Sequence, residues 1–187
     1  MKRIVISLFI LFLLLPIRCK ANEKELVTLS SCIDGDTARF IMNKKEIKIR
    51  FLAIDTPEIT SNQKYSYEAK EFTCDLLNNA HKIYLEFDGN SEKQDKYNRY
   101  LAWIWVDDKL LQEELVSNGL AKVAYLYDDY KYTNLLKNAQ NKAKANNLNI
   151  WYKEPNKMIT NETNIILIIV SIIIIISIFK KVILKKK

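Results

Sequence analysis

Five short segments in the first two thirds of the chain have the apolar pattern of β-strands. In the third of them, Ile47, Ile49 and Phe51 alternate with Lys48 and Arg50. A period of two is typical of a strand with one buried face. The predicted strands cover residues 26–33, 37–42, 47–53, 83–87 and 101–106.

Three other segments have apolar residues at helical spacing. Phe72, Leu76 and Ala80 recur every fourth residue, which places them on one face of a helix. Gly119 is placed to end the second helix. The predicted helices cover residues 67–80, 110–118 and 132–145. With one helix after the third strand and two after the fifth, the order predicts an α+β, mainly β fold: a five-stranded barrel of the OB type.

The N-terminal end begins with an apolar segment. The basic residues Lys2 and Arg3 precede an apolar run at residues 4–17, and Ala21 offers a small residue at a cleavage point. This pattern predicts that residues 1–21 are a secretory signal peptide or, if they are not cleaved, a membrane anchor.

The C-terminal end has a second apolar segment. Residues 165–184 contain only two charges, Lys180 and Lys181, and are long enough for a transmembrane helix if both lysines reach the membrane surface. The organisation that follows is a domain at residues 22–152, a polar linker at 153–164, the transmembrane helix at 165–184 and a basic cytoplasmic end at 185–187.

The formal net charge of +7 lies in these flanks and not in the domain. Residues 21–156 have 19 Lys and Arg against 21 Asp and Glu. The charge therefore indicates membrane topology and is no evidence for a polyanion partner. By the positive-inside tendency, both ends lie in the cytoplasm. We expect the domain on the outer side of the cell membrane, or secreted if it is released.

Cysteine and histidine restrict the possible chemistry. Cys32 and Cys74 form one disulfide in an oxidising compartment, or they are two buried thiols. The sequence has no Cys-x-x-Cys motif, so a zinc site is not expected. A catalytic pair of histidines is excluded because His81 is the only histidine, and we expect it to have a surface or structural role.

Carboxylates and arginines remain as candidates. Asp36, Asp55 and Glu58 lie at the ends of neighbouring predicted strands, where a hard cation such as Ca²⁺ finds oxygen ligands. A small barrel can direct Arg50 and Arg99 towards one point, and a guanidinium group suits phosphate. These are sufficient parts for phosphodiester hydrolysis. The cation and the arginines stabilise the negative transition state, while a carboxylate takes a proton from water.

Five motifs in these segments resemble the staphylococcal nuclease (thermonuclease) family. The resemblance covers residues 26–151, about two thirds of the chain. The motifs are IDGDTARF (33–40), IRFLAIDTPE (49–58), DKYNRYLAWIW (95–105), LVSNGLAKVAYLY (115–127) and KANNLNIW (144–151).

The resemblance implies a role for each catalytic candidate. Asp36 and Asp55 match the family's calcium ligands, with the carbonyl of Thr56 as a third, and Glu58 matches the carboxylate proposed as general base. The two arginines, Arg50 and Arg99, match those that bind phosphate and stabilise the transition state.

The resemblance also implies a nucleotide pocket. Tyr97, Tyr125 and Tyr127 match residues whose rings stack on a base, and Lys96 matches one that meets a phosphate. The sequence departs from the family beside Arg99. Asn98 stands where glycine is usual and Tyr100 where a small residue is usual, and we expect these larger neighbours to alter the entry of Arg99 or narrow the pocket.

Each residue also has a plain structural interpretation. Arg50 would pair with an acidic residue of a helix, Asp36 would serve only its turn, and Glu58 would cap the following segment. Tyr125 and Tyr127 would pack together on one face of a strand.

The leading hypothesis is a Ca²⁺-dependent enzyme that cleaves DNA and RNA with little sequence preference, leaves 3′-phosphates and is a monomer held at the membrane by its C-terminal helix. One alternative is a catalytically silent OB module that binds nucleic acid or protein at the cell surface. Another is an adhesion or structural protein. The silent module predicts the loss of at least one catalytic or metal-binding residue, and the sequence keeps both arginines, the glutamate and both aspartates.

Overall fold

The computed structural model describes residues 24–154 and 161–184. They fall into two compact units that divide between Trp151 and Tyr152. The signal segment at residues 1–21, the cytoplasmic end at 185–187 and half of the linker lie outside the described residues and stay predictions.

Five strands of the first unit close into a barrel. Their order is β3-β2-β1-β5-β6, and a parallel pairing of β3 with β6 completes the circle, while the other neighbours are antiparallel. These are the five strands that the apolar pattern predicts, so the OB-type barrel is confirmed. The strands are β1 (Glu25–Cys32), β2 (Thr37–Met42), β3 (Lys45–Phe51), β4 (Ile54–Asp55), β5 (Ile83–Glu86), β6 (Tyr100–Val106), β7 (Lys109–Leu110) and β8 (Lys122–Val123).

The third strand is shorter at its end than the alternation predicts. The chain turns after Phe51, and Ala53 has a φ of 63°, in the left-handed region that ends a strand. The next two residues form β4, which leaves the barrel and pairs with β8, with Asp55 opposite Lys122. The prediction that β3 extends to Ala53 was therefore wrong. Because of the turn, the backbone of Asp55 is held by the pairing of β4 with β8 and not by a barrel strand.

Three helices pack in the first unit where helical spacing predicts them. Gly119 follows the second helix with a φ of 63°, and a Cβ there would lie 2.5 Å from the carbonyl oxygen of Leu148. Its predicted role as a helix stop is confirmed. The helices are α1 (Ser66–Asn78), α2 (Leu111–Ser117), α3 (Thr133–Ala145) and, in the second unit, α4 (Asn161–Leu184), with a 3₁₀ turn at Asn149–Trp151.

Helix α4 covers the C-terminal apolar segment and begins four residues before it. In the part of the chain that the structure describes, no helix combines the length and the apolar character needed to cross a membrane. The transmembrane interpretation of residues 165–184 stays a prediction.

A buried carboxylate links the barrel to the start of α3. Glu86, on β5, is fully buried. Its Oε2 accepts hydrogen bonds from Nε1 of Trp105 (2.8 Å) and from the hydroxyl of Tyr132 (2.9 Å). Its other oxygen accepts one from Nζ of Lys131 at 2.6 Å. Hydrogen bonding to Glu86 and Tyr132 raises the pKa of Lys131, which stays charged at neutral pH. The charge on Glu86 is thus compensated by three donors.

Replacing Glu86 by alanine is expected to destabilise the fold by about 2 kcal/mol or more, because it leaves the indole N–H of Trp105 and the hydroxyl of Tyr132 without their acceptor. The loss of the partner of Lys131 contributes less, since that lysine is half exposed. Urea denaturation of both proteins measures the difference. The control is Glu71→Ala, an exposed position on α1, where a change within about 0.5 kcal/mol is expected. Equal midpoints for the Glu86 variant and the wild type would contradict the prediction.

Candidate functional site

Arg50 lies between two aspartates at the end of β3. The pairing of Arg50 with Thr37 on β2 places it beside Asp36, the residue before that strand. Its Nη2 is 3.0 Å from Oδ2 of Asp36 and 3.3 Å from Oδ1 of Asp55, while Nη1 donates to the carbonyl of Phe51 at 2.9 Å. The structural interpretation of an ion pair with a helix acid was wrong, because Asp36 lies in the loop before β2 and Asp55 lies on β4.

Asp36 is almost completely buried, with 4% of its surface exposed. Its Oδ2 accepts hydrogen bonds from the amide (2.9 Å) and hydroxyl (3.0 Å) of Thr56, and its Oδ1 accepts one from the hydroxyl of Thr37 at 3.0 Å. Burial raises the pKa of Asp36, although the charge of Arg50 opposes that shift. The role of Asp36 is therefore not limited to its turn, because its carboxylate connects the start of β2 to Thr56, in the segment after β4.

The turn before Asp36 fits tightly between two elements. A Cβ on Gly35 would lie 2.8 Å from Oγ1 of Thr56 and 2.9 Å from Cβ of Ala69 on α1, so glycine is required there. The hydroxyl of Thr73, also on α1, donates to the carbonyl of Gly35 at 2.7 Å.

Of the two alternatives for the cysteines, the structure has the disulfide, Cys32–Cys74.

Asp55 has cationic partners on both carboxylate oxygens. Oδ1 faces Arg50 and accepts a long hydrogen bond from the Tyr125 hydroxyl at 3.4 Å, and Oδ2 is 3.0 Å from Nζ of Lys122. The charge of Asp55, followed by burial, raises the pKa of Tyr125, so its hydroxyl remains a donor. Lys122 is a site residue that sequence reasoning missed, although it lies inside the LVSNGLAKVAYLY motif.

The predicted metal ligands have suitable chemistry. Asp36 and Asp55 direct one oxygen each at the same guanidinium nitrogen, so two hard carboxylate oxygens converge on one point beside Thr56. Within residues 24–154 and 161–184, no three side chains of Asp, Glu, His or Cys gather around a common centre. Two carboxylates with a backbone carbonyl and water still fit Ca²⁺, which accepts all of these oxygens.

Glu58 is exposed, and only its backbone is fixed. Its amide donates to the side-chain oxygen of Gln63 at 3.0 Å, and its carbonyl accepts from the amide of Gln63 at 3.2 Å. Helix α1 starts without a side-chain cap, so the capping interpretation of Glu58 was wrong. Among the residues described, none forms a hydrogen bond or ion pair with its carboxylate, which remains accessible to water.

Arg50, Asp36 and Asp55 form the first group of site residues. Arg99 belongs to a second group, with Asp95, Lys96 and Tyr97. Its Nε and Nη2 lie 2.7 Å and 2.6 Å from Oδ2 of Asp95, and its amide donates to Oδ1 of the same residue at 3.0 Å. Burial alone would raise the pKa of Asp95, but the hydrogen bonds from Arg99 and from the amide of Tyr97 hold it below its usual value. No contact within the described ranges joins Arg99 to Asp36 or Asp55.

The departures beside Arg99 leave the turn intact. Asn98 has a φ of 59°, a left-handed conformation that asparagine tolerates better than most residues. Tyr100 packs its ring against Phe87, with 6.2 Å between centroids. The structure therefore shows where both side chains go, and the effect on the pocket stays a prediction.

The predicted aromatic residues divide between the two groups. Tyr97 is 67% exposed, with Nζ of Lys96 5.0 Å and Cζ of Arg99 5.5 Å from its ring centre. The ring of Tyr125 has Cζ of Arg50 at 5.5 Å, and Tyr127 is 83% exposed. Strand β8 ends at Val123 and Tyr125 has a positive φ of 56°, so the interpretation of two tyrosines packed on one strand face was wrong.

A cavity borders the first group. It has a volume of about 300 Å³, and Asp55, Thr56, Lys64 and Lys122 are among the residues that line it. A larger cavity of about 570 Å³, between α1 and the turn from β6 to β7, contains none of the predicted site residues. The smaller cavity provides space next to the candidate metal ligands.

The family model described as staphylococcal nuclease homologue matches residues 48–153. Endonuclease YncB of Bacillus subtilis is 41% identical over 139 residues, 71% of this chain and 65% of YncB. The SPbeta prophage-derived endonuclease YokF of the same species is 41% identical over 137 residues, 70% of this chain and 46% of YokF. Thermonuclease of Staphylococcus hyicus is 36% identical over 135 residues, 70% of this chain and 78% of that protein. The match thus spans less than two thirds of both Bacillus relatives.

Replacing Asp95 by alanine is expected to loosen the turn that presents Arg99, because the turn loses two amide hydrogen bonds and an ion pair in which Nε and Nη2 of Arg99 both contact Oδ2 of Asp95. Trypsin should then cleave after Lys93 or Lys96 several-fold faster than in the wild type, as followed by mass spectrometry. Glu92→Ala removes an exposed carboxylate from the same loop and should leave the rate unchanged. Equal cleavage of the wild type and the Asp95 variant would contradict this expectation.

Proposed function

The chain belongs to the staphylococcal nuclease family, and on that basis we propose that it is a Ca²⁺-dependent nuclease that hydrolyses DNA and RNA without sequence preference and leaves 3′-phosphates. The observation that supports this most directly is the convergence of Arg50, Asp36 and Asp55 at one end of the barrel. It places a fixed guanidinium beside two carboxylates able to hold a cation. The silent-module alternative has no comparable support, because none of its expected losses is found.

Arg50 is suited to bind the scissile phosphate. Its Nη1 is held by the carbonyl of Phe51, which fixes the plane of the guanidinium. Because the group is nearly buried, its charge acts on a phosphate with little screening by water. The carboxylates of Asp36 and Asp55 with the carbonyl of Thr56 would hold Ca²⁺. When bound, the cation supplies positive charge against the phosphate oxygens.

Glu58 is the proposed general base. Glu58 follows β4, and its backbone amide is bonded to the side chain of Gln63. In the described ranges, no hydrogen bond or ion pair occupies its carboxylate oxygens. It is therefore free to accept a proton from a water molecule that attacks the phosphorus. The location two residues after Thr56 keeps it near the proposed metal ligands.

The second group binds the rest of the substrate in this proposal. Arg99, Lys96 and the exposed ring of Tyr97 combine two cations with an aromatic face. Together with Tyr125 and Tyr127, they contact phosphates and base faces instead of base edges, which accounts for low sequence preference. For Arg99 to assist at the scissile phosphate, its contact with Asp95 must rearrange.

The proposal also places the domain outside the cell membrane as a monomer anchored by the C-terminal apolar segment at residues 165–184. The support is the apolar sequence of that segment and the lysines at its end. We expect detergent to release the full chain from cell membranes and 1 M salt not to release it. Release by salt alone would indicate electrostatic attachment and contradict the anchor.

The activity is tested on the full chain in detergent with DNA and RNA substrates. We expect cleavage with Ca²⁺, none with a chelator, and products that end in a 3′-phosphate by mass spectrometry. Arg50→Ala and Arg99→Ala should each lower kcat/KM by about 10²- to 10³-fold, and Glu58→Gln by about 10²- to 10⁴-fold.

The matched control for the arginines is Arg39→Ala. Arg39 is exposed on β2 and pairs with Glu46, so its loss should leave kcat/KM unchanged. Full activity in Arg50→Ala or Glu58→Gln would disprove the mechanism. Absence of cleavage by the wild type with Ca²⁺ would disprove the proposed function and favour the silent module.

A further inference from the structure

The loop that carries Asp36 is short and internally bonded. It connects β1, which ends at Cys32, to β2, which begins at Thr37. The amides of Ile33 and Asp34 both donate to the carbonyl of Thr37, at 3.2 Å and 3.1 Å, and the amide of Asp36 donates to Oδ1 of Asp34 at 3.1 Å. Because of these bonds, a displacement at one end of the loop moves Asp36 as well.

Two consecutive residues of α1 hold this loop. Cys74 is bonded to Cys32 at the start of the loop, and Thr73 donates its fully buried hydroxyl to the carbonyl of Gly35 next to Asp36. These links cross 42 and 38 residues of sequence, respectively. No bond between backbone groups duplicates either link among the described residues.

The opposite side of the loop meets the other candidate ligand segment. Gly35 packs against Thr56, and Oδ2 of Asp36 accepts two hydrogen bonds from the same residue. The loop is therefore held between α1 and the segment that carries Thr56. If α1 releases it, the loop keeps only the contacts on the side of Thr56 and Arg50, so the distance between the carboxylates of Asp36 and Asp55 is less tightly fixed.

We propose that the Cys32–Cys74 disulfide and Thr73 form a clamp that positions Asp36, so that the affinity of the site for Ca²⁺ depends on the oxidised state of this cysteine pair. Thr73 and the two cysteines are positioning residues, since they act on the site through the loop that carries Asp36. The inference rests on the proposed function, because it assigns regulation to the same metal site.

The redox step is a thiol–disulfide exchange. A dithiol such as dithiothreitol transfers two electrons and two protons to the disulfide. The bond between the two sulfur atoms breaks, Cys32 and Cys74 become thiols, and the reagent is oxidised to its cyclic disulfide. After reduction, Thr73 is the one remaining link of the clamp.

The first measurement is Ca²⁺ binding by calorimetry on the full chain in detergent. Thr73→Val removes the hydroxyl at nearly constant volume and should weaken Ca²⁺ binding by about three- to tenfold, as expected for one lost hydrogen bond. Thr73→Ser keeps the hydroxyl and should restore most of the affinity. The control, Thr133→Val, removes a buried hydroxyl that has no hydrogen-bond partner in the described structure, and it should leave the affinity unchanged.

Reduction of the wild type, or the double replacement Cys32→Ala with Cys74→Ala, should also weaken Ca²⁺ binding. Reduction of that double variant should then have no further effect. Unchanged affinity in both Thr73→Val and the reduced wild type would overturn the clamp.

Hydrogen exchange on the metal-free protein gives a second, independent reading. The amides of Ile33, Asp34 and Asp36 should exchange faster in the reduced form and in Thr73→Val, while amides of β5 and β6 keep their rates. Equal acceleration in the loop and in these strands would indicate general destabilisation and overturn the clamp, as would no acceleration in the loop.

The two proposals fail in different ways. If the oxidised wild type binds no Ca²⁺, the proposed function fails. The exchange measurement on the metal-free protein still decides whether the clamp positions Asp36.

Discussion

The parallel pairing of β3 with β6 determines where the two candidate arginines lie. It closes the barrel by placing Ile49 opposite Tyr100 and Arg50 opposite Leu101. Arg99, the residue before β6, consequently lies at the start of the strand that pairs with the strand of Arg50, although 49 positions separate the two arginines in sequence. Parallel neighbours need a long connection, which here contains α1 and β5. Closure thus brings two arginines from distant motifs to one end of the barrel.

The charges at that end stabilise one another. A nearly buried guanidinium is unfavourable without partners, and Arg50 has two carboxylates and a carbonyl. The buried charge of Asp36 is in turn stabilised by Arg50 and Thr56. The charge of Asp55 is stabilised by Arg50 and Lys122. Contacts among protein groups therefore fix the geometry that we propose for binding a cation and a phosphate. Such preorganisation lowers the cost of arranging charges during a reaction.

Sequence patterns predicted the barrel because its five strands are long enough to show apolar enrichment or alternation. They could not predict β4 or β8, since a strand of two residues is too short to show alternation of apolar and polar positions. The pairing of Asp55 with Lys122 depends on those strands, so Lys122 was missed as a site residue. The contact of Asp95 with Arg99 could have been predicted from the sequence, because the two residues lie four positions apart within one motif. Whether Cys32 and Cys74 pair could not follow from spacing alone, which does not specify distance.

Asn98 illustrates how a departure from a family pattern can preserve a backbone. The turn at Arg99 closes through two backbone bonds, from Asn98 to the carbonyl of Asp95 (3.0 Å) and from Asp95 to the carbonyl of Arg99 (2.9 Å). It requires positive φ at position 98, where glycine has no steric cost and asparagine a small one. A β-branched residue there would strain the turn and move Arg99 away from Asp95. Asparagine therefore accommodates the positive φ that the turn presenting Arg99 requires, while it adds a side chain where glycine has none.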